Sequence, residues 1–218
     1  LGAKCFARED SEVMGLVGSG VIAGYCMQAT LMFMKHIKKI KVYDIRRENA
    51  EKFCERWKHL GYEFSVVDSA EEAIRDSDIV HTVTTVDVGE EYVEPAWLKK
   101  GSFHSFVSQY DYKEECHLLP NVKFGMDWLD RLNDRDSCTL ANMVLDGKMA
   151  KPTYPLVTQV SDVLLGNKPG RTNPDDIYLF ATIGIVITDV LNCYEVYKGC
   201  LEKGLGTEVY QWKEPHNM

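Results

Sequence analysis

Val13-Met14-Gly15-Leu16-Val17-Gly18-Ser19-Gly20-Val21-Ile22-Ala23 is the stretch that decides the fold. It opens as a short apolar strand, passes a glycine turn and enters a helix. Gly18, Gly20 and Ala23 fill the three small-residue positions of G-x-G-x-x-G/A. At the first, a strand end turns tightly; at the second, backbone N–H groups approach a pyrophosphate; at the third, a helix packs closely on a sheet. The positive end of that helix, begun by Ser19, Gly20, Val21 and Ile22, is aimed at the phosphates. A second apolar run, Ile40-Lys41-Val42-Tyr43-Asp44-Ile45, sets an acid at a strand end roughly 20 residues further on, where it can bind ribose hydroxyls. The bland alternatives are a tight turn and a solvated strand end. Strand, turn, helix and acid in this order point instead to a dinucleotide site. Asp44 repels a 2′-phosphate and favours NAD; Arg46 and Arg47 beside Ile45 soften that repulsion and leave NADP open.

The chain has 218 residues and a formal net charge of −8, which suits one domain of ~150 residues plus a remainder. Phosphate backbones are bound through basic patches, so the acidic balance argues against nucleic acid. The seven cysteines are scattered and never in C-x-x-C spacing. That is the pattern of reduced thiols in a cytoplasmic protein, not of a disulfide framework or a zinc site. The histidines are equally dispersed and imply no metal. The most apolar run, Ile183 to Ile187 with its flanks, meets Asp189 well short of the ~20 residues a membrane span requires. No signal-peptide order precedes the first strand. The chain begins at Leu1, so a further segment is expected upstream or on another polypeptide.

From Leu1 to Asp10 the chain reads as the tail of a helix. Strands are expected at 12–17, 40–45, 62–67, 79–85, 103–108 and 122–126. Helices follow the glycine turn and span Arg47 to His59, closed by Gly61, and Ala70 to Arg75. The second of these is capped by Ser69, with Glu72 three residues on as a capping box. A short helix is expected at Pro95 to Lys100. This alternation means a parallel, doubly wound α/β sheet, a dinucleotide-binding domain over residues 11–135. After Trp128 the alternation stops. Asp134 to Met149 looks helical, prolines punctuate the next stretch, and a helix from about Pro174 to Lys203 is apolar nearly all round in its middle. A helix of that kind is buried on more than one side, which points to an interface with another chain. Residues 1–10 and 136–218 are thus expected to be part of a second domain.

The stretches A-R-E-D (7–10), G-S-G-V-I-A (18–23), K-V-Y-D (41–44), S-D-I-V-H-T-V-T-T (77–85) and W-L-K-K-G-S-F-H (97–104) recur in one family. So do K-P-G-R-T-N-P-D-D-I-Y-L-F-A-T-I-G (168–184) and L-E-K-G-L-G-T-E-V (201–209). Through them the chain resembles the ornithine cyclodeaminase/mu-crystallin family, which includes alanine dehydrogenases and ketimine reductases. The resemblance implies a Rossmann-type NAD(P)-binding domain and part of a split dimerisation and substrate domain. It also implies NAD(P)-dependent oxidoreductase chemistry, with hydride moved at the α-carbon of an amino or imino acid.

By the same resemblance Asp111 is the catalytic acid at the amino group. Thr84, Thr85, Lys113 and Thr182 are cofactor contacts, and Ile183 and Gly184 adjoin the substrate. Three departures stand against the pattern. Gln109 and Tyr110 replace glycines, the loop between Asp111 and Lys113 is shortened, and the N-terminal segment that grips the substrate carboxylate is lacking. Arg171 is read as structural. The partners expected are a small amino or imino acid and a homo- or hetero-oligomer, with a separate chain supplying the N-terminal half. The alternative is a non-catalytic nucleotide-binding assembly subunit or a mu-crystallin-like carrier of a small ligand.

Overall fold

The structure, a computed structural model, describes residues 1–209. Its elements in chain order are α1 (Gly2–Phe6), β1 (Val13–Val17), α2 (Val21–Leu31), β2 (Lys39–Tyr43), α3 (Arg47–Trp57), β3 (Glu63–Val66), α4 (Ala70–Ile74) and β4 (Ile79–Thr82). There follow β5 (Phe103–Phe106), α5 (Glu114–His117), β6 (Val122–Met126), α6 (Thr139–Leu145), β7 (Val157–Gln159), α7 (Val160–Leu164), β8 (Ile177–Ala181) and α8 (Val186–Glu202). Two compact units result, residues 1–183 and the segment from Gly184 onward.

All eight strands of the first unit join one parallel sheet in the order β3-β2-β1-β4-β5-β8-β6-β7. The expected doubly wound α/β class is what the chain adopts. The order reverses direction between β1 and β4, and in such sheets the crevice outside the strand ends opens at that reversal. Each face carries its own apolar layer. Met14, Leu16, Ile40 and Val42 face α2 and α3, whereas Val17, Val80, Phe106 and Phe124 face the other side. Gly15 makes one of these contacts possible: a Cβ there would lie 2.1 Å from the Ala73 carbonyl oxygen of α4.

Local signals are met closely. Ser69 caps α4 by accepting from Glu72 N at 3.1 Å, and Glu72 accepts in turn from Asp68 N. Gly61 closes its turn in the left-handed region at φ 80°. The expected helix over 174–203 is corrected by the structure. Ile177–Ala181 is strand β8, lying between β5 and β6, and the helix begins only at Val186. Along β8, Ile177, Leu179 and Ala181 face one layer and Tyr178 and Phe180 the other. A strand buried on both faces is a continuous apolar run, which periodicity alone does not separate from a buried helix. The helix expected over 134–149 is shorter, Thr139–Leu145, after a 3-10 turn at Leu129–Asn133. Residues 136–183 share the sheet and core of the first unit through β7 and β8.

In the second unit α8 carries Val186, Ile187, Val190, Leu191, Val196 and Tyr197, all exposed. Among the described residues no helix is long and apolar enough to cross a membrane.

Candidate functional site

The C-terminal ends of β1, β2 and β4 surround a cleft of about 640 Å³. The β1 end turns through Gly18 at φ 93°, where a Cβ would sit 2.5 Å from the Val83 carbonyl oxygen. Glycine is therefore demanded by the protein itself at this position. Gly20 differs. It is the N-cap of α2 in extended conformation, and a Cβ built on it meets no atom within 4 Å. Nothing in the fold requires a glycine there, so the open space above it has the form of a cradle that a side chain would fill. Ala23 is fully buried beneath.

Asp44 stands at the end of β2. Its Oδ2 accepts from Ser19 N at 3.0 Å and from Ser19 Oγ at 2.6 Å, and its Oδ1 accepts from Arg46 N at 3.0 Å. Burial raises the carboxyl's pKa, but the hydrogen bonds from Ser19 and Arg46 outweigh it and hold the group below the usual carboxylate range. Of the residues expected at a cofactor, Gly18, Ser19, Gly20, Asp44, Ile45, Arg46, Thr84 and Thr85 line this one cleft. Val21 and Ile22 open α2 with exposed side chains, leaving their backbone N–H groups as the relevant feature. Tyr92, Trp97 and Asn49 line the cleft too and were missed. The one available signal was the pair of aromatics in the connection before β5, Tyr92 in a loop and Trp97 in the 3-10 turn Pro95–Trp97, since connections on a rigid scaffold carry binding residues.

Asp111 lies under the cleft and not in its wall. It is fully buried and accepts hydrogen bonds from the hydroxyls of Thr82 (2.7 Å), Tyr92 (3.0 Å), Thr84 and Ser108. Lys113 pairs with Glu94, a hydrogen bond that raises its ammonium pKa. Gln109, at φ 71°, donates from Nε2 to the Thr182 carbonyl at 2.7 Å, so the residue in the glycine position ties β8 to the loop after β5. Thr182 Oγ1 lies 3.4 Å from Ser105 Oγ. Ile183 packs on the core, and Gly184, at φ 88°, opens the second unit. None of Asp111, Lys113, Thr182, Ile183 and Gly184 lines the cleft. Among the described residues no group of three or more His, Cys, Asp or Glu side chains is placed to hold a metal ion.

Two motifs outside the cleft are structural. Arg171 donates to the carbonyls of Phe6 (2.7 Å), Asp176 (2.5 Å) and Ser102 (3.0 Å) and stacks on Tyr178; burial pulls its guanidinium down to about 10. Asp78, just before β4 at the N-terminal end of the strands, opposite the cleft, accepts from Arg8, Lys99, Glu12 N and Val13 N. Residues of A-R-E-D, S-D-I-V and W-L-K-K-G thus meet on one carboxylate.

The model of the ornithine cyclodeaminase/mu-crystallin family matches residues 1–204. The chain is 29% identical over 209 residues to the N-((2S)-2-amino-2-carboxyethyl)-L-glutamate dehydrogenase of Staphylococcus aureus, covering 95% of this chain and 60% of that enzyme. Among solved structures it resembles Thermococcus litoralis Δ1-pyrroline-2-carboxylate reductase in complex with NADH and L-proline. The TM-score is 0.83 at 30% identity, over 95% of this chain and 64% of that one. An archaeal alanine dehydrogenase dimer with bound NAD gives 0.82 at 26% identity, over 97% and 64%. The chain therefore spans less than two thirds of the relatives it matches. It belongs to the ornithine cyclodeaminase/mu-crystallin family.

Proposed function

We propose that this member of the ornithine cyclodeaminase/mu-crystallin family binds a nicotinamide dinucleotide, NAD in preference to NADP, in the cleft at the ends of β1, β2 and β4. With it, the protein interconverts amino and imino acids at the α-carbon. The observation that carries the reading is Gly20, a glycine that the fold does not need, at the start of α2 in a cleft that also holds Asp44. The solved relatives with NADH or NAD support it.

The N–H groups of Gly20, Val21 and Ile22 hold the diphosphate, with Gly18 shaping the turn and Ser19, whose N–H and hydroxyl both donate to Asp44, fixing it against the acid. Asp44 accepts from the adenosine ribose, and Ile45 and Arg46 flank it. Thr84 and Thr85 serve the other nucleoside. Lys113, Thr182, Ile183 and Gly184 carry their cofactor and substrate roles from the resemblance alone. Bound nicotinamide supplies or accepts the hydride. Asp111 was expected to touch the amino group directly. With its carboxylate enclosed by four hydroxyls, we assign it to position Thr84 and Tyr92, which reach the cleft.

The exposed apolar side chains of α8 support an oligomer, homo- or heteromeric, in which a further segment supplies the part that the relatives carry beyond this chain's span. All seven cysteines are free thiols, which supports a reducing, cytoplasmic setting.

A second reading, a nucleotide-binding subunit or small-ligand carrier without turnover, is favoured by the enclosure of Asp111. Assays of NADH consumption with Δ1-pyrroline-2-carboxylate, and with pyruvate plus ammonia, separate the two. Turnover supports the oxidoreductase; retained NADH binding without turnover on either supports the carrier.

A further inference from the structure

Asp111 has its full complement of hydrogen bonds, and this fixes the polarity of part of the cleft. Oδ1 accepts from Thr84 Oγ1 and Tyr92 Oη, and Oδ2 from Thr82 Oγ1 and Ser108 Oγ. An ionised carboxylate has about four acceptor positions and no donor. All are filled here, by hydroxyls that own one proton each. Those protons point inward. Thr84 and Tyr92 line the cleft; Thr84 Oγ1 also lies 3.2 Å from Ser108 Oγ, and whatever face these two hydroxyl oxygens offer a ligand then carries lone pairs only. Burial and the neighbouring Asp111 push the Tyr92 phenol above its ordinary value, so it keeps its proton, and its hydroxyl lies 3.0 Å from Asp111 Oδ1.

We propose that Tyr92, together with Thr84, forms an acceptor-only pair that selects hydrogen-bond donors on the ligand, with Asp111 as the positioning residue that imposes this polarity. The inference rests on the dinucleotide reading above. In the sheet order β2-β1-β4, Asp44 and Thr84 lie on opposite sides of the β1 glycine turn. With the adenosine ribose at Asp44, the second nucleoside falls toward Thr84 and Tyr92. Its donors are the ribose hydroxyls and the carboxamide NH2. A carboxylate or phosphate oxygen in the same place would set lone pair against lone pair and leave buried groups unpaired.

The test is calorimetric titration of the whole chain and its Tyr92→Phe variant with NAD+, nicotinic acid adenine dinucleotide and ADP. The second ligand has a carboxylate in place of the carboxamide; ADP lacks the second nucleoside altogether. Tyr92→Phe is expected to weaken NAD+ binding between about 2- and 10-fold and to leave ADP binding unchanged. An equal loss with the acid analogue assigns the donor to the ribose hydroxyls. A loss confined to NAD+ assigns it to the carboxamide. Both outcomes uphold the proposal, and Thr84→Val is expected to follow the same pattern. Unchanged NAD+ affinity overturns it, and so does an equal weakening of NAD+ and ADP, which marks a general disturbance of the fold. Failure of the unmodified chain to bind NAD+ and ADP alike is a different result: it removes the dinucleotide reading itself.

Discussion

The Asp44 carboxylate holds Ser19 twice, by its backbone N–H at 3.0 Å and by its hydroxyl at 2.6 Å. The acid after β2 and the glycine turn after β1 are thereby one preorganised unit, fixed before any ligand arrives. Preorganisation lowers the ordering cost of binding, and two neighbouring parallel strands supply it.

Replacing that acid tests the assignment of the adenosine ribose. Asp44→Ser is expected to weaken NADH binding by roughly 10-fold, the scale of lost charge-assisted hydrogen bonds. It should also narrow the preference for NAD over NADP, because the charge that repels a 2′-phosphate is gone. Unchanged NADH affinity would count against the placement.

The two glycines of the turn should respond in opposite ways. Gly18→Val forces a β-branched residue to φ 93° with its Cβ 2.5 Å from the Val83 carbonyl oxygen. It should cost about 3 kcal/mol of stability or more. Gly20→Val meets open space and should leave the urea midpoint within the effect of ~0.5 kcal/mol typical of surface changes, while abolishing nucleotide binding. A Gly20→Val variant that binds NADH normally contradicts the cradle.

The strand run 13–17, the turn and Asp44 were legible because each depends on neighbours within a few residues. Ser69 and Glu72 at α4 were legible for the same reason. Strand β8 was not, since burial on both faces erases the alternation that marks a strand. Trp97 ends the 3-10 turn Pro95–Trp97, inside the short helix expected over 95–100, but so short a turn does not show which way its side chain faces. Tyr92 reaches the cleft from the irregular stretch before it, where no period exists to read. The enclosure of Asp111 was equally hidden: its hydroxyl partners come from β4, from the stretches following β4 and β5, and from Tyr92, and only the register of β4 and β5 brings them together.

Acid sensitivity follows from three buried histidines. Burial pulls the imidazoles of His81, His104 and His117 to about 4, about 3 and about 4. Unfolded, each takes up a proton near 6.5. Below that pH the unfolded chain binds more protons than the folded one, so stability falls as pH falls. Asp44 and Asp78 add to this lower down. Their folded pKa values are depressed, so their contribution is complete above the unfolded value of 3.8 and is lost as pH falls through the folded one. The urea midpoint should decline steadily from pH 6.5 to pH 4, and His104→Gln should make the decline shallower. A midpoint constant over that window would show that these histidines are not held neutral.

The carboxylate at the other end of the strands should matter for stability alone. Asp78 is 5% exposed and pairs with Arg8 at 2.9 Å and Lys99 at 2.6 Å. Asp78→Ala removes the carboxylate partner of Lys99, one of Arg8's two (Asp10 remains), and the acceptor of the Glu12 and Val13 N–H groups, at about 3 kcal/mol. NADH affinity of the folded variant should be unaltered, as Asp78 lies outside the cleft. A selective loss of binding with no loss of stability would reverse that assignment.

The most direct test of the dinucleotide reading is a titration of the chain with NADH, exciting tryptophan and reading dihydronicotinamide emission. Trp97 lines the cleft and is the expected energy donor. Saturable sensitised emission, displaced by ADP and absent in the folded Gly20→Val variant, is the predicted result. No NADH occupancy by a chain whose fold is intact would contradict the account.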